Sequence, residues 1–390
     1  MSDTECLELL RALISTPSPN PPGDISACTR IVSRVLEAEA IPYSIFESES
    51  GVTNLVAWLK ARTDDLGRTL MVNAHLDVIP PGDGWERDPY DPAYEDGYVW
   101  GRGSCDMKAG VVSAVATMVS LKRSLAPLGG TLMLALVGDE ERAGELGTQY
   151  LLKQGITADL AICCEPTELR CELGNRGLLW VDVLVRGKAS HGGYPHLGVN
   201  AIHATADIIR ELEKIPVEQF RNEMFEVAVG SVCCVHVQGG ARLNVIPDTC
   251  SLSIDRRLMP GEAAEMALRQ IAQAVTRATG IVPGVDRDSG EQVVLWSDVM
   301  HEACWTPEES EIAQSYKRCF ERVTGRKPPA VRGKAPATDA SHLVHMAGIP
   351  TIICGPGDCS LAHTDHERVR FSEVLQAKRL YCEMALDLLR

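Results

Sequence analysis

The sequence lacks several features that mark specialised classes of protein. It has no run of 18 uninterrupted apolar residues, so an ordinary membrane-spanning helix is not indicated. No two cysteines have the spacing Cys-x-x-Cys, and cysteine makes up less than ~4% of the chain, below the density of a disulfide scaffold. The first residues, MSDTECLELLRALIS, carry acidic side chains where a secretory signal carries basic ones. We therefore expect a cytoplasmic protein with reduced cysteines.

Positive charge is also scarce. The chain has 38 Lys and Arg against 53 Asp and Glu, which gives a formal net charge of −15. A surface this acidic repels phosphate groups, so neither a nucleic acid nor a membrane is an expected partner. The 390 residues exceed the usual size of a single core, and two domains are therefore expected.

Continuous apolar runs alternate with helical patterns in the first half of the chain and near its end. Runs of this kind, separated by helices such as 107–123 and 145–154, are typical of parallel strands that are covered on both faces. The sequence thus predicts an α/β fold with a mostly parallel sheet. The four runs are TLMVNAH (69–75), TLMLALV (131–137), ADLAICC (158–164) and PTIIC (350–354).

The middle of the chain has a different order of elements, which reads βαββαβ, the ferredoxin-like arrangement. We predict that this segment, 178–297, is a domain inserted into a discontinuous host formed by 1–177 and 298–390. The patterns are a strand at 177–187, a helix at 198–214, a strand around 226–237, an alternating strand at 249–258, a helix starting near Pro260 and an apolar run at 293–296.

Polar side chains follow the ends of the apolar runs, where open α/β sheets bind their ligands. Taken singly, these residues have simple structural explanations. His75 could be a buried structural histidine, Asp106 a helix N-cap residue, and the acidic run 139–141 a solvated turn. Taken together, two imidazoles and three carboxylates favour a two-metal site, with zinc as the expected ion. The five candidate ligands are His75, Asp106, Glu141, Glu165 and His363.

Competing chemistries have little support in the sequence. It contains no Gly-x-Ser-x-Gly elbow, no His-Glu-x-x-His, no phosphate-binding loop and no Gly-x-Gly-x-x-Gly. Cys105 remains as a nucleophile candidate, but no activating residue lies near it in the sequence.

Seven motifs, in order along nearly the whole chain, resemble the M20 metallopeptidase family. The similarity is greatest to its acetylornithine deacetylase and succinyl-diaminopimelate desuccinylase branch. In that family the inserted domain serves as a lid and dimerisation domain. The motifs are HLD (75–77), GRGSCDMKAG (101–110), GDEE (138–141), CEPT (164–167), ASHGGYPHLGVNAI (189–202), DRRLMPGE (255–262) and GPGDCSLAHTDHE (355–367).

The resemblance implies two metal ions per subunit, expected to be Zn²⁺, with Co²⁺ or Mn²⁺ able to substitute. One ion would be held by His75 and Glu165. The other would be held by Glu141 and His363, and Asp106 would bridge the two. A hydroxide bridging the ions would attack the substrate carbonyl.

The resemblance also implies roles for residues that do not bind metal. Asp77 would orient His75, and Glu140 would be the general base that later protonates the leaving amine. His191 would reach the active site of a neighbouring subunit and polarise the scissile carbonyl. Arg257, with Asn244 nearby, would bind a substrate carboxylate, because the guanidinium fork pairs with it bidentately.

Two positions stay open at this point. The family tail commonly reads His-Thr-Pro-Asp-Glu, whereas this chain has HTDHE (363–367), so His366 is a second candidate imidazole beside the preferred His363. Arg256 and Arg257 lie on opposite faces of a strand, and only the strand register decides which of them faces a substrate.

We therefore expect a homodimeric, dizinc amidohydrolase that removes the acyl group from an N-acyl amino acid. A dipeptidase or carboxypeptidase of the same family, acting on a small peptide with a free carboxylate, is the alternative. A non-catalytic metal-binding scaffold is the alternative from a different class, and the presence of Glu140 argues against it.

Overall fold

The computed structural model describes residues 1–61, 67–217, 229–334 and 336–390. The helices in these ranges are α1 (Asp3–Ile14), α2 (Ser26–Ala38), α3 (Lys108–Arg123), α4 (Thr148–Lys153), α5 (Ala201–Leu212), α6 (Ala264–Thr279), α7 (Glu311–Thr324), α8 (Ala340–Ala347) and α9 (Phe371–Leu388). The strands are β1 (Tyr43–Glu47), β2 (Thr53–Leu59), β3 (Thr69–His75), β4 (Tyr94–Glu95), β5 (Tyr98–Trp100), β6 (Thr131–Val137), β7 (Leu160–Cys163), β8 (Glu172–Asn175), β9 (Gly177–Arg186), β10 (Ser190–His191), β11 (Ser231–Gly239), β12 (Val245–Ile246), β13 (Thr249–Leu258), β14 (Val293–His301), β15 (Cys304–Trp305), β16 (Arg332–Lys334), β17 (Thr351–Ile353) and β18 (Arg368–Arg370).

The chain divides into two compact units. The first contains Met1–Gly174, Trp305–Lys334 and Thr338–Arg390, and the second consists mainly of Asn175–Cys304. The second unit thus starts at 175 and ends at 304, whereas the sequence predicts an insertion from 178 to 297. Its end lies later because β14 continues to His301 through an irregularity in its pairing with β9.

The central strands of the first unit run parallel, and the outer ones are antiparallel. The strand order is β1-β2-β6-β3-β7-β17-β8. β3 pairs in parallel with both β6 and β7, and β17 pairs in parallel with β7. β1, β2 and β8 pair with their neighbours in the antiparallel sense. The predicted α/β class with a mainly parallel sheet is confirmed.

Helices cover both faces of this sheet. α3 is buried along nearly its whole length, because its small and β-branched side chains allow close approach on all sides. The hydroxyl of Ser113 in α3 donates to the carbonyl oxygen of Val374 in α9 at 3.1 Å. On the opposite face α4 and α8 bury Leu151 and Leu343 against Met71 and other sheet residues. The sheet is therefore enclosed, and its strand ends are the places open to polar chemistry.

The second unit has the predicted βαββαβ order, with its sheet in the order β11-β13-β9-β14. All three pairings are antiparallel. α5 and α6 supply Ile208 and Ile271 to a core that also contains Val183 and Leu252 of the sheet. β11 begins at Ser231, and residues 226–228 of the predicted strand lie outside the described residues.

Candidate metal centre and active site

His75 lies at the carboxyl end of β3 and is 1% exposed. Its Nδ1 lies 2.9 Å from the main-chain carbonyl oxygen of Asp77, to which it can donate. That bond leaves Nε2 as the free nitrogen, and such an arrangement is common for metal-binding histidines. Nε2 faces oxygens of three carboxylates, at 3.2 Å from Asp106, 3.6 Å from Glu165 and 3.8 Å from Glu140.

Asp77 is fully buried and connects His75 to the turn that follows β6. Its carboxylate lies 3.5 Å from His75 Nδ1, farther than its own carbonyl oxygen. The same carboxylate accepts from the side-chain amide of Asn20 at 2.9 Å and from the backbone N–H of Glu141 at 3.2 Å. The N–H of Glu140 approaches it at 3.4 Å. Asp77 therefore fixes the position of both glutamates.

Glu140 and Glu141 form a short 3-10 turn directly after β6, and both carboxylates are largely buried. Burial and the neighbouring charge of Glu165 raise the pKa of Glu140 well above its usual value. Burial raises the pKa of Glu141 to about 7, although its hydrogen bond with His363 acts in the other direction. Burial is the main cause of both shifts, and the charges of the neighbouring carboxylates act in the same direction.

Glu165 follows β7 and is 5% exposed. Its Oε2 accepts from the ammonium group of Lys334 at 3.1 Å, and Lys334 also donates to the carbonyl oxygen of Pro166 at 3.2 Å. Burial opposes the charge on Lys334, but the nearby carboxylates, led by Glu165, outweigh it and raise its pKa. Lys334 is a site residue that sequence reasoning missed.

Asp106 lies just before α3, in a loop held by the buried carboxylate of Glu367. Glu367 accepts from the backbone N–H groups of Cys105 at 2.9 Å and Asp106 at 3.0 Å, and it pairs with Arg102 at 2.6 Å. Burial opposes ionisation of Asp106, but the hydrogen bond and charge of His75 outweigh it and lower its pKa to about 2. Asp106 is therefore an ionised carboxylate at neutral pH.

His363 joins the cluster from the segment after β17. Its Nε2 lies 3.1 Å from a carboxylate oxygen of Glu141 and 3.5 Å from one of Asp106. The hydrogen bond with Glu141 raises the pKa of His363 to about 9. His366 points elsewhere, since its side chain is 62% exposed and its Nε2 lies 3.4 Å from a carboxylate oxygen of Asp365. The structure thus brings His363, and not His366, to the carboxylates.

The donor set fits divalent cations. Two groups of three potential ligands have donor atoms within 4.8 Å of one another, namely His75 with Glu140 and Glu165, and His75 with Asp106 and Glu141. Nitrogen and oxygen donors of this kind suit zinc and related ions. Bound cations would also offset the mutual repulsion of the buried carboxylates.

His191 and Asn244 belong to the second unit and are both exposed. His191 pairs with Val245 across the short β10–β12 ladder, and the carbonyl oxygen of Asn244 accepts from the N–H of Gly192 at 2.7 Å. The N–H of Gly193 donates to His191 Nδ1 at 3.0 Å, which places the ring proton of a neutral imidazole on Nε2. His191 therefore presents a free N–H donor.

The two neighbouring arginines of β13 differ in their surroundings. Arg256 is fully buried and pairs with Glu262, so it is part of the packing of the second unit. Arg257 is 25% exposed, and its fork binds both carboxylate oxygens of Asp255 at 2.8 and 3.0 Å. The register thus leaves Arg257 as the arginine that a ligand can reach.

Imidazoles and carboxylates gathered at the strand ends of an α/β fold are typical of metal-dependent hydrolases. Residues 71–387 match the model of Peptidase family M20/M25/M40, and the chain belongs to this family. Within the described residues, no helix has the length and apolar character needed to cross a bilayer.

Two curated relatives match almost the full chain. A succinyl-diaminopimelate desuccinylase of Cereibacter sphaeroides is 28% identical over 389 residues, covering 96% of this chain and 96% of the relative. An N-formyl-4-amino-5-aminomethyl-2-methylpyrimidine deformylase of Halalkalibacterium halodurans is 26% identical over 398 residues, covering 95% and 91%. The chain is also similar in fold to a dinuclear metal binding peptidase of the M20 family from Bacillus subtilis. That match has a TM-score of 0.73 at 17% identity and covers 99% of this chain and 98% of the other.

Proposed function

We propose that this protein hydrolyses the amide bond of an N-acyl amino acid and releases the free amine. The observation that carries the proposal is the convergence of Asp106, Glu140 and Glu165 on one nitrogen of His75, in a largely buried cluster at the strand ends. The two curated relatives described above are both named for the removal of an acyl group, which favours a deacylase.

Two metal ions per chain, expected to be Zn²⁺, fit the donor set best. His75 and Glu165 would hold one ion, Glu141 and His363 the other, and Asp106 lies near both pairs. When bound, the ions would supply Lewis acidity toward the scissile carbonyl and the attacking water. Co²⁺ or Mn²⁺ would be acceptable to the same ligands.

Glu140 is proposed as the general base and acid. Its carboxylate lies within one of the two groups of potential ligands, 3.8 Å from His75 Nε2, but it is not needed to complete either proposed pair of ligands. Because burial raises its pKa, Glu140 holds a proton more readily than an exposed glutamate does. It would take a proton from the attacking water and deliver it to the leaving nitrogen.

His191 is proposed to act in the active site of a partner subunit, as a donor to the carbonyl oxygen. Its exposed N–H donor has apolar neighbours on the surface, where Tyr194 and Leu197 are each more than half exposed and Leu243 is fully exposed. Exposed apolar side chains grouped in this way are typical of surfaces that another protein covers. They support a homodimer in which the second unit is the dimerisation domain.

Arg257 is proposed to bind the substrate carboxylate, with Asn244 contributing. The guanidinium of Arg257 is already engaged by Asp255, so a substrate carboxylate has to replace Asp255 or share the fork with it. An N-acyl amino acid or a small peptide with a free carboxylate is the class of substrate that this arginine would select.

A dipeptidase or carboxypeptidase is the second candidate. The family match favours it, since the family is described as a peptidase family and the Bacillus subtilis structure is named a peptidase. A metal-binding scaffold without activity is less well supported, because Glu140 is present and held in place by Asp77.

A substrate panel tests the proposal and separates the two candidates. Amine release would be measured for N-acetyl, N-succinyl and N-formyl amino acids and for dipeptides, before and after treatment with a chelator. We expect turnover of acylated amino acids, its loss on chelation and its return with Zn²⁺ or Co²⁺. Faster turnover of dipeptides would favour the peptidase, and no turnover of either class by the metal-loaded protein would contradict both.

A further inference from the structure

Lys334 stands out as a buried cation beside the carboxylate cluster. It lies at the end of β16, is 4% exposed and has its ammonium 3.1 Å from Oε2 of Glu165. A second bond, 3.2 Å long, runs to the carbonyl oxygen of Pro166. Burying a charged lysine costs free energy unless the ammonium is paired, so the contact with Glu165 holds the Lys334 ammonium in this position.

Because of this ion pair, the two carboxylate oxygens of Glu165 have different neighbours. Oε2 is taken by Lys334, whereas Oε1 faces His75 Nε2 at 3.6 Å. Both carboxylate oxygens of Glu141 instead face the imidazole of its proposed fellow ligand, with His363 Nε2 at 3.3 and 3.1 Å. Among the described residues, no lysine or arginine forms an ion pair with Glu141. The two sides of the cluster are therefore electrostatically unequal.

We propose that Lys334 is a positioning residue that limits Glu165 to one coordinating oxygen and weakens metal binding on the His75–Glu165 side. This inference rests on the proposed metal centre. The ion on that side would be bound less tightly than the ion on the Glu141–His363 side, and it would be the first ion lost to a chelator.

The direction of the effect follows from charge. An ammonium group at ion-pair distance from a ligand carboxylate withdraws donor strength from it and repels a dication nearby, and burial strengthens both interactions. Without Lys334, the metal-free protein would keep an uncompensated buried carboxylate, which a bound dication would neutralise. A neutral residue at 334 should thus make the metal-free protein less stable and metal binding tighter.

Three substitutions separate charge from hydrogen bonding. Lys334→Met removes the charge and the donor, Lys334→Gln removes the charge but keeps a donor, and Lys334→Arg keeps the charge. Metal-free protein would be titrated with Zn²⁺ against a chelator of known affinity, and urea unfolding of the metal-free and loaded forms would be compared. The loss of ions from the loaded variants to excess chelator provides a measurement that does not require a folded metal-free form.

We expect Lys334→Met and Lys334→Gln to tighten binding of the weaker ion by at least about tenfold. This matches outer-shell effects in size but is opposite to their usual direction, because Lys334 carries a positive charge. The tighter ion should change much less, and Lys334→Arg should resemble the wild type. The metal-induced gain in unfolding midpoint should be larger for the two neutral variants. Unchanged or weaker binding in both neutral variants, or an arginine variant that behaves like them, would overturn the role of Lys334. If the wild type bound no metal, the proposed function itself would fail.

Discussion

Glu367→Gln should destabilise the protein strongly, because Glu367 is the buried anchor of the loop that carries Asp106. Glu367 is fully buried, pairs with the 2% exposed Arg102 at 2.6 Å and accepts two backbone N–H groups. Removing one partner of a buried ion pair costs about 3–5 kcal/mol, since the other charge is left uncompensated. Glutamine preserves the shape of the side chain and can still accept one N–H. We therefore expect the free energy of unfolding to fall by about 3 kcal/mol, near the lower end of that range.

Urea unfolding followed by circular dichroism measures this loss, and a surface pair provides the control. Arg87 and Glu95 form an ion pair at 2.9 Å, but both side chains are more than half exposed. Glu95→Gln should therefore leave the unfolding midpoint nearly unchanged. The double variant Arg102→Leu/Glu367→Leu should lose less than the sum of its single changes. A midpoint for Glu367→Gln close to that of Glu95→Gln, or full additivity of the leucine changes, would refute the reasoning.

Three further predictions concern chemistry and pH. Glu140→Gln should keep its metal but lose about 10²–10⁴-fold in turnover, whereas Glu141→Gln should lose metal. The exposed control Glu145→Gln should change neither metal content nor turnover. Similar metal content and turnover in Glu140→Gln and Glu141→Gln would refute the division of roles. His191→Ala should lower kcat at least about a hundredfold, the size expected for one donor to the carbonyl oxygen. Mixing the His191→Ala and Glu140→Gln proteins should restore activity, and no recovery would mean that His191 does not act in a partner subunit. Burial lowers the pKa of His342 from 6.5 to about 4, so the folded protein keeps this ring neutral while the unfolded chain takes up a proton. Its contribution to stability is complete above about pH 6.5 and is lost as the pH falls toward 4, and urea midpoints across this range should show a flatter curve for His342→Gln.

The position of the site at the strand ends could be predicted from the sequence for a physical reason. β6, β3 and β7 are adjacent parallel strands, so the residues that directly follow them meet at one edge of the sheet. His75 ends β3, Glu140 and Glu141 follow β6, and Glu165 follows β7. Apolar runs with polar ends can be recognised locally in the sequence, and parallel pairing of the strands brings those polar ends close together.

The residues that support the site could not be predicted in this way, because their partners are remote in the sequence. Lys334 contacts Glu165 across 169 positions, and Glu367 binds the N–H of Asp106 across 261. Glu367 lies within the tail motif HTDHE, which offered a signal, whereas nothing local distinguishes Lys334 from a surface lysine.

The strand register also could not be predicted from the sequence. Arg256 and Arg257 alternate on β13, and the buried partner of Arg256, Glu262, follows the strand after a turn. The second unit extends beyond the predicted end at 297 for a related reason, since the pairing of β14 with β9 continues beyond its irregularity at Trp296. Side-chain periodicity does not reveal pairing that resumes after such an interruption.

The number of metal ions per chain is the most direct test of the central claim, which is that the clustered imidazoles and carboxylates form a two-metal hydrolytic centre. Elemental analysis of the purified protein gives this number, and amine release measured on the same sample gives the activity. We predict two ions per chain in fully active protein, the same number in inactive Glu140→Gln, and parallel loss of ions and activity on dialysis against a chelator. Fully active protein with clearly fewer than one ion per chain would contradict the account.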